Sequence, residues 1–270
     1  VTGMKAYHVQ LIGGLAINGG NISTTPSKTS DGNGRSVMVY NSSFEMNDGT
    51  VSVAKAEGGQ NGVGVFYIQN SNVLINDGEI LASEGTAFRA INDSQIVFKK
   101  GRILGGDEVV RLEGSSFDMQ GGEIYATGVA VYTAKEAEFV MSDGVVISEN
   151  SYALAGNGSV DSEGEPLNGD TVWYLDGGTI TSRAITAIYQ SQVGDTYLGG
   201  NLQVVGEKSG IEIRAGDLTI DGATVTVAGD VVYSVEANGN GMTTTGAAIA
   251  VAQHTTRKPI NVKIRRGTFI

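Results

Sequence analysis

One phrase of apolar and polar positions recurs along the chain: apolar, any, apolar, any, Asp or Gly, Gly, any, apolar. It reads FEMNDGTV over 44–51, VLINDGEI over 73–80, IVFKKGRI over 96–103, FDMQGGEI over 117–124, FVMSDGVV over 139–146, WYLDGGTI over 173–180 and LTIDGATV over 218–225. LAINGGNI (15–22) precedes these copies, VKIRRGTF (262–269) follows them, and 195–202 keeps only the second half. The residue after the bend is Gly20, Gly49, Gly78, Gly101, Gly122, Gly144, Gly178, Gly200, Ala223 and Gly267, at spacings of 29, 29, 23, 21, 22, 34, 22, 23 and 44. The unit is therefore about 22 residues, the last spacing reads as two units, and three others carry insertions. Internal periodicity of this length is the mark of a repeat architecture.

Within a unit the pattern has period two, breaks at the bend and resumes with period two, and nothing shows a helical period. Phe44 and Met46 face one way, and Val51 and Val53 continue that face past the bend. A further apolar segment precedes each copy (37–39, 65–68, 87–91, 109–112, 129–132), closed by Asn41-Ser42-Ser43, Asn70-Ser71-Asn72 or Asn92-Asp93-Ser94. Three short strands and three corners per unit describe one coil of a β-solenoid. Glycine and asparagine suit the corners because both tolerate positive φ. Each coil would bury about six to eight inward side chains, and roughly eleven coils at about 4.8 Å give a rod on the order of 50 Å long.

These copies resemble rungs of a right-handed parallel β-helix, the pectin-lyase-like superfold. More narrowly, DGGTITS (176–182) and TGAAIAV (245–251) resemble glycine-rich repeats of bacterial surface adhesins, autotransporter-like passengers and phage fibres. The resemblance spans nearly the whole chain and implies one all-β domain over 1–270, with 1–14 a cap or an irregular first rung. It implies little about activity, because the superfold carries both enzymes and inert stalks. The strand ending at Ile270 has no polar or helical segment behind it. An uncovered parallel edge is a template for association, so the expectation is that the parent protein continues there or that a partner covers this end, a stacked copy in the filament reading.

Forty glycines against three prolines exclude collagen and proline-rich disorder, and the absence of cysteine removes disulfides, thiolate metal sites and cysteine nucleophiles together. A net charge of −11 opposes nucleic-acid and anionic-membrane binding, and no apolar run is long enough to span a bilayer.

Outward positions form rows. One holds Glu45, Leu74, Val97, Asp118, Val140 and Tyr174. The other holds Ser52, Leu81, Leu104, Tyr125, Ile147 and Thr181, so that Leu81, Leu104, Tyr125 and Ile147 stack into an apolar strip. Such a strip calls for a cover: the loop over 155–171, a second chain as in a trimer, or a ligand. By the same register Trp173 points inward and Tyr174 outward, where it offers a stacking platform for sugar.

The chemistry-bearing motifs are few. His8 and His254 are the only histidines, which supports neither a metal cluster nor a Ser-His-Asp triad, and both read as surface or end structure. GEKSG (206–210) lacks the Gly-Lys-Ser/Thr order of a phosphate loop. Polysaccharide-cleaving β-helices use carboxylates on the outer face, but Asp48, Asp77, Asp143 and Asp176 occupy the bend itself and read as turn caps. The Gly-His-Gly, Asn-Thr-Asp and Arg-Ile-Lys signatures of pectin hydrolases are not present. The insertion over 156–170 gathers Asp161, Glu163, Glu165 and Asp170: a solvated loop, or the place a calcium ion would use. No other cofactor is called for. Arg265 and Arg266, in a basic stretch with Arg257, Lys258 and Lys263, read as a junction facing an acidic neighbour or as a polyanion contact.

Three functions stay open at this point. The first is a non-enzymatic fibre or adhesin, extracellular or on a virion, that touches a glycan or surface protein through its loops. The second is a polysaccharide depolymerase or lyase working on the outer face. The third is a self-assembling filament subunit.

Overall fold

A computed structural model describes residues 10–11, 13–25, 35–54, 64–230 and 246–270 of the chain. Among them every regular element is a β-strand, and every pairing between strands is parallel. Ten strands form one sheet, from Gln10–Leu11 through Arg35–Tyr40, Gly64–Gln69, Phe88–Ile91, Val110–Glu113, Val131–Ala134, Leu154–Gly156, Thr186–Gln190 and Ser209–Ile213 to Ala247–Val251. The larger sheet consists of two stacks that meet at the bends. Its leading stack includes Asn72–Ile75, Gln95–Phe98, Ser116–Met119, Glu138–Met141, Thr171–Leu175 and Gly194–Gly199; its trailing stack includes Glu79–Ala82, Arg102–Gly105, Glu123–Ala126, Val145–Ser148, Thr179–Ser182 and Gln203–Gly206. Ser43–Val53 and Gly216–Val227 run through the bend unbroken and belong to both. Apart from the first and last strands of each stack, each strand pairs with the strand one unit earlier and one unit later, so the arrangement is solenoid-like.

The two-residue period produces this arrangement. In the leading stack Phe44, Val73, Ile96, Phe117, Phe139 and Trp173 align in register and are buried, while the alternate residues are half-buried or exposed. Aromatic rings run through the interior, with Phe66 stacked on Phe88 at 4.8 Å and Phe117 6.0 Å from Phe139. Burial of these side chains supplies the driving force. The backbone N–H and C=O groups are satisfied between coils rather than within them.

The corners match their composition. Asn41, Asn70 and Asn92 have φ of 47°, 52° and 53°, the left-handed region that asparagine tolerates. Beside them runs a serine ladder: the backbone N–H groups of Ser42, Ser71 and Ser94 donate to Ser71 Oγ, Ser94 Oγ and Ser115 Oγ at 3.1, 3.4 and 3.2 Å. At the other bend the Asp48, Asp77 and Asp143 carboxylates accept from the following glycine N–H at 2.7, 2.8 and 2.7 Å. These aspartates are turn caps, as their position in the repeat implies.

Two expectations change, and one is partly described. The spacing of 44 before Gly267 is one coil, not two units, because Gly216–Val227 pairs directly with Ile260–Phe269 and Ser209–Ile213 pairs directly with Ala247–Val251. Part of the extra length, 252–259, lies between Ala247–Val251 and Ile260–Phe269; residues 231–245 lie outside the described residues. The segment over 1–14, read as a cap or an irregular first rung, contains Gln10–Leu11, which pairs with Met38 and Val39, and the start of Gly14–Thr24; residues 1–9 and 12 lie outside the described residues. The loop over 155–171 does not cover the apolar strip. Its end bonds instead to Gln192, whose Nε2 donates to Lys135 O, Asn168 O and Gly169 O at 2.5, 2.9 and 3.1 Å.

The bend glycines differ in one testable respect. Gly101 has φ +106°, and a Cβ there would lie 2.2 Å from Gly78 O of the preceding coil; Gly20 has φ +89° with no atom within 4 Å. Gly20→Ala should cost only the backbone strain, about 1–2 kcal/mol. Gly101→Ala should cost about 3 kcal/mol or more, since overpacking adds to strain. Chemical denaturation of the two variants checks this, and equal losses would refute the intercoil clash.

Candidate functional site

The outer face of the ten-stranded sheet carries a row of chemistry that neither bend row has. In register on successive strands it runs Met38, Tyr67, Arg89, Arg111, Tyr132, Ala155, Tyr189, Glu212 and Ala250. Alternation sends these side chains outward, because Phe66, Phe88, Val110, Val131 and Leu154 point into the core. The first five are half-exposed and the last four are buried. The row is thus open at one end and roofed at the other.

The open part is a cationic and aromatic ladder. Arg89 lies 5.9 Å from the Tyr67 ring centroid and Arg111 5.2 Å from that of Tyr132, within cation–π range. Two arginines on adjacent strands repel, and Glu113 lies between them. Its Oε1 accepts from Arg111 Nε at 2.7 Å and sits 3.0 Å from Arg89 Nη2, while Oε2 is 3.7 Å from Lys135 Nζ. Arg111 also bonds Glu108. Burial alone would raise the Glu113 carboxyl, but the Arg111 bond and the surrounding cations outweigh it and hold it below the usual carboxylate range. Arg35, at the far end, is pushed below the usual arginine range by burial and by the like charge of Arg89.

At the roofed end a cleft of about 380 Å³ lies between Tyr132, the 156–160 segment, Tyr189, Ser191 and the 254–256 segment. The roof is fastened from below. Arg214 and Glu212 are both fully buried and 3.6 Å apart; Arg214 reaches Tyr189 Oη at 3.3 Å and donates to Gln253 O at 3.1 Å. Tyr189 stacks on Tyr152 at 4.7 Å. His254 is buried, and its Nδ1 accepts from the Thr256 N–H at 3.3 Å. Burial, and secondarily Arg214, holds the imidazole below its ordinary value, so the neutral ring forms the cleft wall. Of the two alternatives, surface or end structure, His254 is the second, a buried part of the segment leading into the last strand; His8 lies outside the described residues.

The residues singled out from sequence fall on separate faces. Tyr174 points outward and is 45 % exposed, but one face of its ring is taken: Tyr197, its register partner, stacks on it at 4.7 Å and 8°. Asp161 Oδ1 accepts from the N–H groups of Glu163 and Glu165, both at 2.9 Å, and the Glu165 carboxylate lies 3.4 Å from Lys258 Nζ. Asp170 lines a separate cleft with Glu136 and Glu138. Among the described residues no three carboxylate or imidazole groups converge as a metal site. Leu81, Leu104, Tyr125 and Ile147 do stack on consecutive strands, half-buried, with Tyr125 Oη donating to Glu149 at 3.1 Å. Arg265 and Arg266 face Asp221 of the adjacent coil at 3.4 and 2.6 Å.

The ladder was open to sequence reasoning. Aligning the segments VMVY, FYIQ, FRAI, VRLE and VYTA places Met38, Tyr67, Arg89, Arg111 and Tyr132 at one repeat position. Tyr189 lies further along the same row, but no repeat position flags His254. The chain matches no protein family, no curated protein and no solved structure, so the site is read from its geometry alone.

Two pH effects follow. The Glu113 carboxyl is depressed on folding, so its contribution is present above the usual 4.5 and is lost as pH falls through the folded value. Glu113→Gln should lower stability by about 1–2 kcal/mol at neutral pH, less than a fully buried pair would lose because its partners keep water. The gap to wild type should close in acid; a gap independent of pH would refute the assignment. The His254 imidazole is also depressed, so its contribution is complete above the ordinary 6.5 and is lost as pH falls below it. The protection of the amides over 252–258, relative to their intrinsic exchange rates, should therefore fall as pH drops below about 6.5. His254→Asn, which keeps an acceptor without titrating, should remove that dependence.

Proposed function

We propose that the chain is a right-handed parallel β-helix of the pectin-lyase-like kind, serving as a non-enzymatic extracellular or virion-surface rod that binds a glycan along the outer face of its ten-stranded sheet. The observation that carries this reading is the half-exposed line Tyr67, Arg89, Arg111 and Tyr132 on four consecutive strands. Stacked strands repeat at about 4.8 Å, close to the advance of one sugar in an extended glycan, so a chain lying along the axis meets one of these side chains at each step. Arginine forks and tyrosine hydroxyls are suited to hydroxyl-rich ligands. Stiffness comes from the stacked coils, and the excursions supply the relief around the face.

The non-enzymatic part of the reading draws on the carboxylates. Glycoside hydrolysis needs a carboxylic acid kept protonated to serve the leaving group. Among the described residues, Asp77, Glu113 and Asp221 have carboxyl groups held below their usual range, each through a cation or backbone donor. Asp48, Asp77 and Asp143 are engaged as turn caps.

The test is retention of the full chain on an array of bacterial capsular and plant glycans, with parallel assays for new reducing ends and unsaturated products. Retention without turnover is expected. The Tyr67→Ala/Arg89→Ala double variant should bind at least about 10-fold more weakly, the effect of losing roughly 1.4 kcal/mol. Catalytic release of products would overturn the non-enzymatic reading, and retention unaffected by the double variant would overturn this face as the site.

A further inference from the structure

The cleft at the roofed end of the ladder differs in chemistry from the ladder itself. We infer that it is a pocket for a single uncharged sugar residue, the terminal or branch unit of the bound glycan. The inference rests on the glycan-binding reading and adds the class of unit held at this end.

Size is the first argument. About 380 Å³ is at the small end of ligand cavities and accommodates one sugar ring rather than an oligosaccharide. The 156–160 and 254–256 segments rise on either side, so a glycan following the ladder meets a wall after Tyr132. Charge is the second. Arg89, Arg111 and Lys135 stand outside the lining, gathered on Glu113. Behind the lining, Arg214 faces Glu212 at 3.6 Å, so that cation has its counter-charge in place. His254 is the one titratable nitrogen in the wall, and burial keeps it neutral. A carboxylated sugar would lose water here without meeting an unopposed cation.

Hydrogen-bonding capacity is the third. Ser159 Oγ donates to Asn157 Oδ1 at 2.6 Å and Ser191 Oγ donates to Gly156 O at 2.8 Å. Both protons are engaged; the exposed Ser159 oxygen keeps lone pairs to accept from a ligand, while the buried Ser191 hydroxyl also bonds Tyr189. A wall that offers acceptors without fixed positive charge matches the hydroxyl protons of a neutral sugar. The floor is closely fitted: a Cβ at Gly158 would lie 2.4 Å from Ser191 O and 3.0 Å from the His254 ring, so the loop approaches this closely only with glycine at that position.

The test uses the full chain, isotopically labelled, titrated at neutral pH with methyl glycosides of glucose, galactose and mannose and, separately, with glucuronate and galacturonate. At least one neutral glycoside should shift the amides of Gly158, Ser159 and Thr255 saturably, with each uronate at least about 10-fold weaker. Ser159→Ala, an exposed change with little bearing on folding, should weaken the neutral glycoside about 3- to 10-fold, the worth of one hydrogen bond. Unmoved cleft amides, or uronates binding equally well, overturn the inference. If an array glycan then shifts only amides around Tyr67 to Arg111, the glycan-binding face stands and the neutral-sugar pocket falls. If no glycan shifts either set, both fall.

Discussion

In-register parallel stacking is the constraint from which the rest of this molecule follows. Once each strand pairs with its copy one unit away, every repeat position becomes a column of like side chains at the strand spacing. A column is favourable only for side chains that tolerate their own kind as neighbours. Apolar and aromatic residues do, and the interior columns through Phe44 and Phe66 are built from them. Amides and hydroxyls do as well, since each is both donor and acceptor: Asn76 Nδ2 donates to Asn47 Oδ1 at 2.6 Å, and Asn47 Nδ2 to Asn18 Oδ1 at 2.7 Å. The Tyr174–Tyr197 pair obeys the same rule on the surface, and it depends on Gly199, where a Cβ would lie 2.5 Å from the Tyr197 ring.

Charges do not tolerate their own kind, and this is what makes the outer face of the ten-stranded sheet informative. Adjacent Arg89 and Arg111 require a counter-charge off their own column, which Glu113 provides from two residues along the strand. Further up the same face the fully buried Arg214 and Glu212 recur as a pair. A buried ion pair adds little net stability, but either partner alone would be costly. Its structural effect is positional: through Gln253 it holds an excursion against the sheet and so creates a wall where a bare solenoid would be flat.

Most of the architecture was legible because it depends on local alternation. The inward positions, the bend glycines, the asparagine corners, the capping aspartates and the outward direction of Tyr174 each require only a period of two and a corner residue. The errors arose where chain length was mistaken for coil number. The spacing of 44 holds one coil because an excursion adds residues without adding a strand to the larger sheet. The charge of Arg265 and Arg266 finds its acidic neighbour within the chain, at Asp221, only because the adjoining coil is brought alongside. The Tyr67 to Tyr132 row was present in the repeat, at the outward position of the strand before each phrase.

The sequence alone determined which side chains face in, where each coil turns and which residues share a column, since these follow from backbone alternation and the sterics of glycine and asparagine. The tertiary structure alone decided how the columns meet at the corners, where the excursions lie and which polar groups they bury. Excursions obey no repeat, and their placement follows from long-range partners such as Arg214 with Gln253, or Gln192 with Asn168. The cleft beside His254 owes its existence to those partners, and no local pattern encodes it.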